Sequence, residues 1–156
     1  MATALPFAYL HATTVEAGFV PIGEARLSPL DRGFLFGDAV YEVTPVYGGR
    51  IFALDHHLKR LARSLGEVGI ADPYSAEQWT QLMEGLVIRN GGGDQLLYLQ
   101  VSRGTDAGRD HKFPKGLAPT VFMMGSPYTP PTAEGFAEAA GDNAEPLLDS
   151  TITTSR

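Results

Sequence analysis

Three stretches of this sequence hold side chains able to do chemistry. Arg109 and His111 stand two apart in a long segment, Ser102 to Pro114, that separates two strand signals. Residues two apart in an extended chain point the same way, so a fixed cation and a second donor can jointly grip a carboxylate there. Arg60 follows His57 by three positions on a helical stretch, which puts both on one face. Its guanidinium fork matches phosphate geometry and can anchor a phosphorylated cofactor. The third stretch is Asp31-Arg32-Gly33-Phe34-Leu35-Phe36-Gly37-Asp38, which runs directly into Ala39-Val40-Tyr41-Glu42-Val43.

Each stretch also has a plainer reading. Arg109 to His111 can be a charged surface loop, although long loops in compact domains are either disordered or used for binding, and the Arg-x-His pair tips the balance toward binding. His56, His57, Lys59, Arg60 and Arg63 can be the wet side of an amphipathic helix. The third can be a glycine-containing loop with Asp31 and Arg32 paired locally and two aromatics tucked into the core, entering a strand with a half-buried tyrosine. The residues alone leave these alternatives open.

The elements that must position these side chains are legible from periodicity. Strand signals surround Phe7 to Leu10 and Phe19 to Ile22, and a longer one runs from Ala39 to Tyr47. Gly48 and Gly49 supply positive φ at both centres of a tight turn, so Arg50-Ile51-Phe52 is predicted to pair with that strand. Asp55 is the expected N-cap of a helix whose apolar face is Leu58, Leu61, Ala62, Leu65 and Val68. Ser75 and Gln78 form a capping box for a second helix, carrying Trp79, Leu82, Met83, Leu86 and Val87 and ending at Gly91. Gln95 to Arg103 and Thr120 to Met124 read as strands. Strands, then two helices, then strands predict an α+β domain, with helices covering one face of a largely antiparallel sheet.

The predicted organisation is a small α+β domain over 1–126, a proline-rich linker over 127–131 and an atypical tail over 132–156. The tail is too poor in large apolar residues to offset the entropy of ordering it. With 44% hydrophobic residues the rest can build a core, while a net charge of -6 argues against nucleic acid or anionic membrane as partner. The absence of cysteine excludes disulfides, thiolate metal ligands and a cysteine nucleophile, and no metal site is expected. Without a signal-peptide pattern or a membrane-length apolar run, a soluble cytoplasmic protein is expected.

Taken in order and spacing, the pieces resemble a known family. From about Tyr9 to Tyr128 the chain is similar to the small domain and linker of class IV (fold-type IV) pyridoxal-phosphate-dependent aminotransferases. The resemblance rests on Asp31-Arg32-Gly33, Phe36-Gly37-Asp38, Val40-Tyr41-Glu42-Val43 and His57 to Arg60. Arg109-x-His111 before Phe113-Pro114 resembles the carboxylate trap of D-amino-acid transaminases. Aminodeoxychorismate lyases and branched-chain aminotransferases are weaker relatives on that pair. The resemblance implies pyridoxal 5'-phosphate as cofactor, with Arg60 on its phosphate and Tyr41, Arg109 and His111 on the substrate carboxylate, partly across a homodimer interface. It implies amino transfer from a D-amino acid such as D-alanine to a 2-oxo acid. The family's cofactor-holding lysine is expected in a larger second domain, a context that Lys59, Lys112 and Lys115 do not share. No catalytic residue is therefore expected in this chain, and the 156 residues are expected to be inactive by themselves. The reading from another class is a non-catalytic dimerisation or binding domain that uses its open sheet face.

Overall fold

The computed structural model describes residues 3–13 and 15–130. The expectations for Pro131 and the tail lie outside the described residues. Along strand β3 (Ala39–Tyr47), Glu42, Thr44 and Val46 are buried while Tyr41, Val43 and Tyr47 are exposed, which is the period-two pattern of a strand with one covered face. Five further strands complete the sheet: β1 (Phe7–Ala12), β2 (Val15–Pro21), β4 (Arg50–Ile51), β5 (Gln95–Ser102) and β6 (Thr120–Pro127). Their spatial order is β2-β1-β6-β5-β3-β4 and all neighbours are antiparallel.

Helices α2 (Leu54–Val68) and α3 (Ala76–Arg89) cover one face. Leu58, Leu61 and Leu65 from α2 and Trp79, Met83, Leu86 and Val87 from α3 form a single core with Leu97, Leu99, Val101, Val121 and Met123 of the sheet. The predicted α+β architecture is thus the observed one. Ser75 accepts from the Gln78 amide and Gln78 returns the bond to the Ser75 amide, so the expected capping box is formed. Gly48 and Gly49 take φ of 54° and 81°, as the tight turn between β3 and β4 requires.

Several boundaries differ from the sequence reading. Strand β2 begins at Val15 and stops at Pro21, with Ile22 in a short 3₁₀ turn. Glu16, Ala17 and Gly18 carry no strand signal of their own; Val15 and Gly18 pair with β1, which extends Glu16 and Ala17 between them at an irregularity in the register. Asp55 is not the cap of α2. That position belongs to Ala53, in the left-handed region (φ 48°), which offers no side-chain acceptor; Asp55 sits in the first turn, where its charge still suits the helix dipole. The turn out of β4 sets this entry, with the Phe52 amide donating to the Pro45 carbonyl (2.9 Å).

The segment read as a glycine-containing loop is a five-residue helix, α1 (Arg32–Phe36), capped by Asp31, whose Oδ1 accepts from the Gly33 amide (2.8 Å). Its buried side chain is Arg32, while Phe34 is 77% exposed, so the expected pair of core aromatics is not there. Arg32 pairs with Asp38 and not with Asp31. Asp31 caps the helix through Oδ1, and the guanidinium is taken by the carboxylate six residues on.

Among the described residues no helix is long and apolar enough to cross a membrane. The loop of residues 103–119 leaves β5 and is laid against α1 at once: the Arg103 amide donates to the Asp38 carbonyl (3.1 Å), the Arg32 amide to the Gly104 carbonyl (2.9 Å), and Asp31 bridges Thr105. The loop's two ends then meet at Gly104, where a Cβ would collide with the Ala118 carbonyl oxygen.

Candidate active site

Glu42 faces the helices from β3 and is almost fully buried. Arg60, one helical turn past His57 on α2, reaches it with both Nε (2.7 Å to Oε1) and Nη2, and His57 Nδ1 lies 2.8 Å from Oε2. Burial is the largest influence on Glu42 and disfavours its charge, but the Arg60 and His57 hydrogen bonds and charges together outweigh it and hold the carboxyl below its usual range. Arg60 itself is held above its usual value by the same hydrogen bond and charge. Its side chain is 56% exposed, and Nη1 has no hydrogen-bond partner among the described residues. With His56 and His57 it lines a shallow depression of about 220 Å³. A guanidinium braced on one edge and open on the other suits an anion presented from solvent.

Tyr41 precedes Glu42 and therefore emerges on the opposite face, where it is exposed and stacks on Tyr98 at 6.0 Å between centroids. The Tyr98 hydroxyl donates to Gln100 Oε1 (2.5 Å). Burial, and then the neighbouring Tyr41, push the Tyr98 phenol above its usual value.

Arg109 and His111 are brought together on Phe36 of α1: the Arg109 guanidinium carbon lies 5.2 Å from that ring's centroid and the His111 ring 5.1 Å from it. Both are exposed, in a loop without regular secondary structure. Tyr41 contacts Tyr98, not this pair, although Tyr41 stands only two residues into β3 from the Ala39–Ser102 pair where the loop begins.

Behind Arg109 and His111 lie three charged residues that sequence reasoning gave no role. Asp38 accepts from Arg32 Nε (2.9 Å), Arg103 Nε (2.7 Å) and Arg103 Nη2 (3.0 Å). Burial is again the largest influence and raises its value, yet Arg103 and then Arg32 overcome it and keep the carboxyl below its usual range. Arg103 also donates to the Val68 and Gly69 carbonyls at the end of α2 (2.8 and 2.9 Å), and Arg32 Nη1 donates to the Asp110 carbonyl (2.8 Å). One signal was available for this cluster: Arg103 closes an apolar strand, a place where a charged residue needs a partner. Nothing in the sequence named Glu42 as that partner for Arg60, since strand and helix are far apart in the chain.

Lys59, Lys112 and Lys115 are all exposed. Lys59 lines a groove between α2 and α3 with Asp55, Asp72 and Trp79, away from the depression at Arg60.

The model of the family described as amino-transferase class IV matches residues 39–146, which takes in β3, the Arg60 helix and the Arg109 loop. The chain belongs to that family. Among curated relatives it is 41% identical over 114 residues to the D-alanine aminotransferase of Staphylococcus aureus (strain MSSA476), covering 72% of this chain and 40% of that protein. It is 42% identical over 104 residues to the D-alanine aminotransferase of Bacillus licheniformis, covering 67% of this chain and 36% of that protein. The chain thus spans about two fifths of the length of these relatives. The branched-chain amino acid aminotransferase of Escherichia coli shares the fold, with a TM-score of 0.71 at 16% identity over 83% of this chain and 42% of that one. The branched-chain aminotransferase of the archaeon Thermoproteus uzoniensis, solved with norvaline, gives 0.66 at 22% identity, over 81% and 42%.

Proposed function

We propose that this chain supplies the carboxylate-binding and phosphate-binding side of a D-amino-acid transaminase that moves an amino group from a D-amino acid such as D-alanine to a 2-oxo acid. The observation that carries the reading is the convergence of Arg109 and His111 on Phe36, in a chain whose curated relatives at 41 and 42% identity are D-alanine aminotransferases. A guanidinium and an imidazole that meet the same ring can offer a carboxylate a permanent charge and a second donor. The branched-chain enzymes resemble the chain at the level of fold, at 16 and 22% identity in the two cases above.

Pyridoxal 5'-phosphate fits the residues present at one end. Arg60 keeps an unengaged Nη1 and a solvent-facing edge while Glu42 fixes its other edge, so it can meet a phosphate without moving. When bound, that group supplies the electron sink of the reaction. Tyr41, exposed on the open face of β3 beside Tyr98, would contribute to binding the substrate carboxylate. We place the lysine that holds the cofactor outside these 156 residues, because Lys59, Lys112 and Lys115 are exposed and face away from Arg60 or sit in the loop. The assembled enzyme is read as a homodimer acting in the cytoplasm.

Two readouts on the purified chain test this. D-alanine is expected to shift the His111 ring resonances in the NMR spectrum, and Arg109→Ala is expected to weaken that response about tenfold. Pyruvate production from D-alanine and 2-oxoglutarate with added cofactor is expected to be absent. Turnover that disappears in Lys112→Ala would show the lysine assignment to be wrong, and a D-alanine response indifferent to Arg109→Ala would remove the carboxylate site.

A further inference from the structure

The carboxylate pair sits on an exposed loop, yet the main chain between its two members is tied to a buried side chain. Asp110 separates Arg109 from His111, and its carbonyl accepts from Nη1 of Arg32, a guanidinium only 2% exposed. From there a continuous series of hydrogen bonds runs inward. Arg32 Nε donates to Asp38, Asp38 accepts from two nitrogens of Arg103, and Arg103 donates to the last carbonyls of α2. Phe36 and Phe113 close over the same charges, with the Arg32 guanidinium carbon 4.7 Å from the first ring and the Arg103 carbon 4.8 Å from the second. Between them Arg32, Phe36, Asp38, His111 and Phe113 line a cavity of about 300 Å³ under the loop.

Stability gives little reason for this arrangement. Two guanidinium groups share one carboxylate, so the cluster buries a surplus positive charge, and apolar residues of similar volume commonly serve a core as well or better. What the arrangement does provide is position. A bond to the carbonyl of the middle residue holds the peptide plane that joins Asp110 to His111 and anchors the chain one residue past Arg109, which constrains the directions in which both side chains leave it. The surplus charge adds a field that favours an anion above the loop.

We propose that Arg32, Asp38 and Arg103 are positioning residues, which transmit the end of α2 through Arg32 to Asp110 and so set the Arg109–His111 pair for its carboxylate. Phe113 clamps the arrangement from outside. The proposal rests on the carboxylate-binding reading of that pair, and its test is built so that the two fail separately.

Arg32→Lys keeps a positive charge opposite Asp38 but replaces the fork that spans Asp38 and Asp110 with a single ammonium. In the 156-residue chain, amide hydrogen exchange in the loop is expected to speed up about tenfold or more over residues 105–113, with the amides of β5 and β6 unchanged. Phe113→Ala, at a residue 71% exposed and outside the hydrophobic core, is expected to act in the same direction and serves as the measurement should the lysine variant not fold. A functional readout separates positioning from general support. The response of His111 to D-alanine is expected to weaken at least about threefold in Arg32→Lys, while the response of Arg60 to inorganic phosphate stays as in the parent, since only the first depends on the loop. Loop exchange that is unchanged, or that rises together with exchange in β5 and β6, overturns the proposal. So does parallel weakening at both sites. If the parent chain itself ignores D-alanine, the carboxylate reading falls, and the contrast between loop and sheet exchange still decides whether these residues position the loop.

Discussion

Asp38 lies between two guanidinium groups and Glu42 between a guanidinium and an imidazole, and both carboxyls are held below their usual range. In the unfolded chain they bind protons more readily than in the folded one. Their contribution to stability is therefore complete above the ordinary carboxylate range and is lost as the pH falls from about 4 through their lower folded values. Denaturant unfolding followed across that range is expected to show a steep acid limb. Asp38→Asn is expected to cost about 3 kcal/mol at neutral pH, because it strands two buried guanidiniums, and to flatten the acid limb. An acid limb of unchanged steepness in the variant would move its origin away from Asp38.

At the scale of elements, the loop between β5 and β6 has its own structural requirement at Gly104. With φ of 103° and the Ala118 carbonyl oxygen where a Cβ would press, no side chain fits without parting the two ends of the loop. Gly104→Ala is expected to lower stability by at least about 2 kcal/mol and Tm by roughly 5 °C or more, read by thermal unfolding. A variant as stable as the parent would mean that the ends of the loop separate freely.

The elements also show what a sequence can reveal. Strand β3, the glycine turn, both long helices and the capping box at Ser75 were legible because each follows from local periodicity or capping chemistry. Helix α1 was not, since five residues give no period to read and its buried side chain is a charged one. Nor was the first half of β2, where Glu16 and Ala17 are extended only because Val15 and Gly18 on either side pair with β1. For the candidate site, Arg60, Arg109 and His111 stood out as types able to bind anions, while Tyr41 entered only through the family resemblance. Their supports Glu42, Asp38 and Arg103 were not legible, because Arg60 meets Glu42 and Arg103 meets Asp38 across 18 and 65 positions of sequence.

For the molecule as a whole, the sheet has one face under α2 and α3, while the other is covered by a helix only where α1 meets Gln100 and Ser102. Tyr41, Val43 and Tyr47 stand exposed on the open side of β3. Contiguous apolar surface of this kind drives association, so the chain is expected to sediment as a dimer or larger species at micromolar concentration. Val43→Lys is expected to shift it toward monomer without changing its unfolding temperature by more than about 2 °C. A parent that sediments as a clean monomer would count against use of this face.

The strict alternation along β3 has a consequence for how such a protein can change over time. Glu42, Thr44 and Val46 report to the helical layer, whereas Tyr41, Val43 and Tyr47 report to the outside. Adjacent codons therefore answer to different selective pressures. Substitutions that repack the covered side can accumulate with little effect on the surface the open side presents, and that surface can be varied without dismantling the scaffold. The exception is Glu42, which sits on the structural side yet braces Arg60, and there the two pressures fall on one residue.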